Sequence, residues 1–254
     1  MAIVFITGAT SGFGRACAEK FASHGYDLIL NARREDRLNQ LCTTLENRYN
    51  IAAITLPFDV RDEEKVMSSI AGLSREWRNI DVLFNNAGLA LGRDYFDEAD
   101  LSDWNTMIDT NIKGFMYVAK AVSKLMAERK KGHIINMGSI AGQMVYEKGN
   151  MYCATKYAVN ALSQAMRIDL LRHNIKVTGI HPGAAETEFS LVRFKGDETT
   201  AKSVYDGIKP LTAEDVADVV YYTTTLPDHV CINDLTLTCL QQANSFYFQR
   251  NPAN

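Results

Sequence analysis

The chain has 254 residues, 46% hydrophobic and 22% charged, with 27 Lys and Arg balanced by 30 Asp and Glu for a net charge of −3. That is the composition of a folded globular protein, and with no basic excess neither nucleic acid nor an anionic membrane is an expected partner. Lys, Arg, Asp or Gly interrupts every apolar stretch well before the ~18 residues of a membrane span, and Met1 leads directly into a strand-like segment, so a cytoplasmic protein is expected. Five cysteines, an odd number without a CxxC pair, suit neither a disulfide framework nor a zinc ribbon. The five histidines lie far apart with no HExxH arrangement, so no metal is expected.

Short apolar runs at residues 2–7, 26–31, 52–58, 82–85, 133–137, 176–180 and 235–238 read as strands. Their nearly continuous apolar character suits parallel strands covered by helices on both faces. Between them, residues 15–24, 34–49, 63–77, 102–129, 150–173 and 212–225 place apolar side chains three or four apart, the helical period. Start signals mark some of these, such as Ser102 before Asp103, and Thr212 with Asp215 three residues on. Parallel neighbours need crossover connections, which helices supply, so the alternation predicts an α/β fold with a doubly wound parallel sheet of about seven strands and about six helices. No repeat, low-complexity tract or linker divides the chain, which predicts a single domain over residues 1–254.

Thr7-Gly8-Ala9-Thr10-Ser11-Gly12-Phe13-Gly14 follows the first strand and opens the first helix. Gly8 permits a tight turn, Gly12 lets backbone N–H groups approach a pyrophosphate, and Gly14 allows close helix–sheet packing, while the helix N-terminus favours negative charge. A lone glycine triplet is a weak signal, but its position between strand and helix points to a nucleotide site, with Thr10, Ser11 and Phe13 as further candidate contacts. The second strand ends Leu30-Asn31-Ala32-Arg33-Arg34, with no carboxylate to accept a ribose 2′-hydroxyl. Ala32 would not repel a 2′-phosphate, and Arg33 and Arg34 can offer it charge-assisted hydrogen bonds, so NADP is expected rather than NAD. The plainer alternative is that the two arginines merely begin an exposed helix.

Asn85-Asn86-Ala87-Gly88 closes the fourth strand, Ser139 follows the fifth, and Tyr152 and Lys156 stand four apart in the next helical segment. That spacing puts phenol and ammonium on one helix face, where the cation would stabilise phenolate and lower the tyrosine pKa towards working pH. Tyr152 is thereby a candidate general acid or base. Taken alone, the same spacing describes any partly exposed helix face.

Together these residues resemble the short-chain dehydrogenase/reductase family over essentially the whole chain. The family's cofactor glycines match Gly8, Gly12 and Gly14, its adenine-side Asp matches Asp59 followed by Val60, and its NNAG motif matches Asn85 to Gly88. Its Asn, Ser, Tyr and Lys match Asn111, Ser139, Tyr152 and Lys156, and its Pro-Gly pair and following Thr match Pro182, Gly183 and Thr187. The resemblance implies a Rossmann-type sheet, with Asn86, Ala87, Gly88, Tyr152, Lys156, Pro182, Gly183 and Thr187 among the cofactor contacts. It also implies reversible hydride transfer between nicotinamide and an alcohol carbon. Tyr152 would exchange the proton and Ser139 would hold the substrate oxygen. Lys156 would lower the Tyr152 pKa and bind the nicotinamide ribose, and Asn111 would hold a water that relays protons from Lys156.

Within the family the chain is similar to the NADP-dependent 3-hydroxy acid dehydrogenases, also described as serine or L-allo-threonine dehydrogenases, in residues 85–92, 107–111, 133–136 and 192–197. The implied substrate is a small 3-hydroxy acid of the serine, allo-threonine, 3-hydroxypropionate or 3-hydroxyisobutyrate type. His181 stands where that subgroup usually has Glu, and Ala184-Ala185-Glu186 replaces a more Gly-rich approach to Thr187. Residues 185–210 fall in the region this fold uses as a substrate lid, where Arg193 can bind a carboxylate bidentately and Lys195 offers only a point charge. The candidate substrate contacts are Ser139, Gln143, His181 and Arg193; the bland alternative for Arg193 and Lys195 is a solvated lid, or pairing with Glu188 and Asp197. A broad carbonyl reductase for apolar ketones and a catalytically idle NADP-binding sensor are the competing functions, and the intact Ser139, Tyr152, Lys156 set argues against the second. The family generally assembles as dimers or tetramers, a homotetramer being expected here, and the aromatic tail Asn244-Ser245-Phe246-Tyr247-Phe248 points to an interface, the alternative being packing within its own chain.

Overall fold

A computed structural model describes residues 1–251 of the chain. Strands β1 (Ile3–Thr7), β2 (Asp27–Ala32), β3 (Ala53–Pro57), β4 (Ile80–Asn85), β5 (Gly132–Met137), β6 (Ile175–Pro182) and β7 (Asp234–Leu237) form one seven-stranded parallel sheet in the order β3-β2-β1-β4-β5-β6-β7. The helices are α1 (Gly12–Ser23), α2 (Glu35–Tyr49), α3 (Glu63–Ala71), α4 (Leu101–Ile108), α5 (Phe115–Arg129), α6 (Asn150–Leu170), α7 (Glu188–Arg193), α8 (Glu198–Ser203) and α9 (Ala213–Thr224).

Successive strand residues point to opposite faces, and here both faces are dry. Val4, Ile6, Leu28, Leu30, Val82 and Phe84 pack with Phe21 of α1, Leu38 and Leu45 of α2, and Val216 and Val220 of α9. Their neighbours Ile3, Phe5, Ile29 and Leu83 face the other way, onto Ile70 of α3 and Val118 and Val122 of α5. This two-sided burial is why the strands read as continuous apolar runs. Helix α9 starts on the capping box expected of Thr212 and Asp215, each side chain accepting from the other's backbone N–H. At α4 the cap is Asp100, whose carboxylate accepts from Ser102, two residues earlier than the sequence signal indicated.

Three elements depart from the expected pattern. The helix expected over 63–77 stops at Ala71, whose carbonyl accepts from Arg78, and in the turn that follows Asn79 donates to the carbonyls of Arg75 and Glu76. The segment expected as one helix over 102–129 is two, joined by a π-turn, Asp109–Gly114. There Gly114 lies against Val60, where an added Cβ would come 2.7 Å from the valine Cγ2. The short helices α7 and α8 inside the lid region carry too few turns to show a period. Among the described residues no helix is long and apolar enough to cross a membrane, and no cluster of His, Cys, Asp or Glu is arranged to hold a metal ion.

Chain order reverses between β1 and β4, and in an open α/β sheet ligands bind at the carboxyl ends of the strands where that reversal opens a crevice.

Candidate active site

The crevice is a cleft of about 740 Å³ whose floor is the glycine turn and whose roof is α7. Gly8 and Gly12 have φ of 67° and 47°, the left-handed region. A Cβ on Gly14 would collide with the Gly8 carbonyl oxygen and lie 2.8 Å from Asn86 Nδ2, so only glycine lets α1 start this close to the sheet. The Thr7 hydroxyl accepts from the backbone N–H groups of Asn86 and Ala87, both at 2.9 Å, and Asn86 Nδ2 donates to the Thr7 carbonyl. These bonds fix the end of β4 against the glycine turn. Gly8, Ser11, Gly12, Phe13, Asn86, Ala87 and Gly88 line the cleft, and Pro182, Gly183 and Thr187 line its opposite wall; Thr10 and Gly14 lie behind the turn. A cradle of exposed backbone at a helix N-terminus is the arrangement a pyrophosphate requires.

Arg33 and Arg34 follow β2, outside the residues that line the cleft, with their guanidinium groups largely exposed, 4.0 Å from Asp59 and 3.9 Å from Glu188. Burial would raise the Asp59 carboxyl, but hydrogen bonds from Arg61 and the charges of Arg61 and Arg33 hold it below its ordinary value. Val60 is buried against the π-turn, and Asn31 is a tie inside the sheet that donates to the carbonyls of Leu56 and Phe58. No carboxylate stands at the end of β2, whose last residues are Asn31 and Ala32.

Ser139, Tyr152 and Lys156 meet at the middle of the cleft. Ser139 Oγ accepts from Ala141 N at 3.1 Å, which leaves its O–H free to donate. Tyr152 is buried, and burial followed by the neighbouring Tyr146 pushes its phenol above the ordinary value, against the opposing pull of Ser139 and Arg193. Lys156 Nζ donates to the Met137 carbonyl and lies 5.9 Å from the Tyr152 ring centre. Burial pulls the ammonium down to about 8. The phenol is thus raised where the sequence led to the expectation that Lys156 would lower it, because burial outweighs the groups that oppose it. Asn111 sits on the π-turn outside the cleft, its amide exchanging hydrogen bonds with Leu89 and donating to Thr155.

The structure separates the four candidate substrate contacts. Ser139 and Arg193 line the cleft, whereas Gln143 turns to the Thr236 hydroxyl and His181 is 1% exposed, its Nε2 3.0 Å from Asp234. Gly138 and Gly179 leave the room that the imidazole fills, and the ring stays under the sheet edge rather than in the cleft. Arg193 stands over Tyr152, its guanidinium carbon 5.6 Å from the ring centre. Its Nε donates to the Gly92 carbonyl and its Nη1 to the Tyr146 hydroxyl at 2.8 Å, with further N–H groups left for a ligand. Tyr146 carried no motif, and Gly92, the last residue of the matching stretch 85–92, was not singled out for this role; its φ is 69°. Phe189 closes the roof, 5.6 Å from the Tyr152 ring.

A model of the short chain dehydrogenase family matches residues 2–197. The chain is 46% identical over 246 residues to sulfoacetaldehyde reductase 2 of Chromohalobacter salexigens, covering 96% of this chain and 97% of that one. It is 45% identical over 242 residues to the NADP-dependent 3-hydroxy acid dehydrogenase of Escherichia coli, covering 95% and 96%. Among solved structures, the closed form of serine dehydrogenase complexed with NADP+ superposes with a TM-score of 0.91 at 44% identity, covering 98% of this chain and 99% of that one. With a family match across most of its length and whole-chain likeness to these enzymes, the chain belongs to the short chain dehydrogenase family.

Proposed function

We propose that this NADP-dependent oxidoreductase acts on a small acid whose reacting carbon lies one carbon from the acid group, as in the 3-hydroxy acids serine, allo-threonine, 3-hydroxypropionate and 3-hydroxyisobutyrate. The two kinds of relative share that geometry: one carbon separates the carbinol of a 3-hydroxy acid from its carboxylate, and one carbon separates the aldehyde of sulfoacetaldehyde from its sulfonate. The observation that carries the reading is Arg193, a guanidinium held over Tyr152 with unused N–H groups in a cleft where an unpaired acid would be costly.

When bound, NADP(H) accepts or supplies the hydride. The glycine turn, Asn86 to Gly88 and Pro182, Gly183 and Thr187 would hold the dinucleotide, with Arg33 and Arg34 at its 2′-phosphate. In reduction Tyr152 gives its phenolic proton to the carbonyl oxygen, and in oxidation it takes the alcohol proton. Ser139 donates its free O–H to the same oxygen and so stabilises the charge that develops there. Lys156 has N–H groups beyond the one given to Met137, and these would hold the ribose beside Tyr152. We take the enzyme to be a single-domain homotetramer of the cytoplasm; five free cysteines suit a reducing compartment, and exposed Phe246 and Tyr247 offer an apolar contact.

Arg193→Met tests the acid reading, since it keeps the stem and deletes the charge. KM for 3-hydroxypropionate is expected to rise about tenfold or more, equivalent to about 1.4 kcal/mol, while that for its uncharged methyl ester changes less than about threefold. Equal responses would give the pocket to uncharged carbonyl compounds instead.

A further inference from the structure

Arg193 owes its place to contacts outside the cleft. Helix α7 ends in a left-handed turn at Lys195, φ 53°, and Gly196, φ 95°. The turn brings Lys195 Nζ to 2.8 Å from Asp103 Oδ2, on the first turn of α4. The two partners are unequal in exposure, the Lys195 side chain at 58% and that of Asp103 at 11%. Beside them Gly92 grips Arg193 twice, donating to its carbonyl at 3.0 Å and accepting from its Nε at 3.1 Å. A Cβ on Gly92 would meet Asp94 at 2.8 Å and Asp103 at 3.4 Å, so Gly92, Asp103, Arg193 and Lys195 make one knot between lid and scaffold.

We infer that the Asp103–Lys195 pair is a latch that fixes the end of α7 and thereby holds Arg193 over Tyr152, which makes Asp103 a positioning residue for acid-bearing substrates. Among the described residues Lys195 is the one side-chain partner of the Asp103 carboxylate. A nearly buried carboxylate that loses its counter-charge is destabilised, so Asp103 favours the lid position that supplies the lysine. Two-way bonding through Gly92 passes that preference to the guanidinium two residues earlier. The alternative role of Asp103 is to complement the dipole of α4, which needs no lysine. The inference rests on the acid reading for its consequence in KM but not for the latch itself.

The test uses the full-length enzyme with NADP(H) and the variants Asp103→Asn and Lys195→Met. Each is expected to raise KM for 3-hydroxypropionate about tenfold, with kcat and the KM for the methyl ester within about threefold. The double variant should be no worse than either single, because both remove one interaction. Since the lysine is exposed, wild-type KM should climb between about 50 and 500 mM KCl, and the variants, which keep only the salt dependence of Arg193 and the substrate acid, should climb less. Amide exchange at Gly92, Lys195 and Gly196, measured with NADP+ bound, should quicken in both variants. Faster exchange with unchanged discrimination in Arg193→Met supports the latch and removes the acid reading alone. If Asp103→Asn acts while Lys195→Met does not, or if neither quickens exchange, Asp103 serves only α4 and the latch is overturned.

Discussion

Burial sets the working state of Tyr152. Its phenol is pushed above the ordinary tyrosine value, so it is protonated at neutral pH and ready to act as the acid in reduction. Lys156 moves the other way, to about 8, so its charge is complete below that pH and is lost above it. Reduction should therefore be flat through neutrality and decline above pH ~8, and Lys156→Arg should abolish that decline, since guanidinium stays charged. Tyr152→Phe should lower turnover by about 100-fold or more while leaving NADPH binding, followed by fluorescence, nearly intact. The residues that carry this chemistry were legible because their signals are local: a glycine triplet between strand and helix, and a Tyr and a Lys one helical turn apart. Tyr146 and Gly92 were not, for their bonds to Arg193 join positions 47 and 101 residues apart, and nothing in the neighbouring sequence records them.

Among elements, the end of β2 makes the sharpest claim. Arg33 and Arg34 are held only by long, exposed ion pairs, and such pairs contribute little, so both side chains can swing to a 2′-phosphate at small cost. Replacing both with Ala should weaken NADP by about 100-fold or more and NAD by only a few-fold, measured as Kd by titration, because each charge-assisted bond contributes about 1.5 to 3 kcal/mol and the two overlap. Equal losses would return the arginines to the helix start. The sheet, its parallel character and the long helices were readable from period alone. The break in the segment over 102–129 was not, because the apolar spacing on either side of the π-turn is helical. Its cause, the fit of Gly114 against Val60, comes from a strand end more than fifty residues earlier. His181 shows the same limit from the other side: its place beside Pro182 suggested the pocket, and Gly138 after β5 together with Gly179 on its own strand leaves room for its ring elsewhere.

For the whole molecule, the tail divides its aromatics. Phe248 turns inward to the cleft mouth with the Arg250 guanidinium 5.0 Å from its ring centre, whereas Phe246 and Tyr247 stay 62% and 59% exposed. Leu240 is fully exposed nearby in sequence. Side chains of this kind are more often covered by another subunit than left in water. Light scattering at micromolar concentration is expected to report a tetramer, and Phe246→Ser combined with Tyr247→Ser a smaller species with cofactor binding retained. A monomeric wild type would assign the tail to its own chain.

The bonds from Asn86 and Ala87 to the Thr7 hydroxyl join positions 79 and 80 residues apart. Strands β1 to β3 pair with near neighbours and can form once Pro57 has been made, but β4 must travel back to the centre. Such a long closure is slow, since its loop entropy is lost before the contact forms. The dinucleotide floor does not exist until that closure, so a nascent or thermally opened chain has nothing to offer the ligand. Binding then rewards the finished molecule alone: at a free ligand concentration a hundred times Kd the gain is about 2.7 kcal/mol. The supply of NADP would govern how long each enzyme molecule survives as well as how fast it turns over.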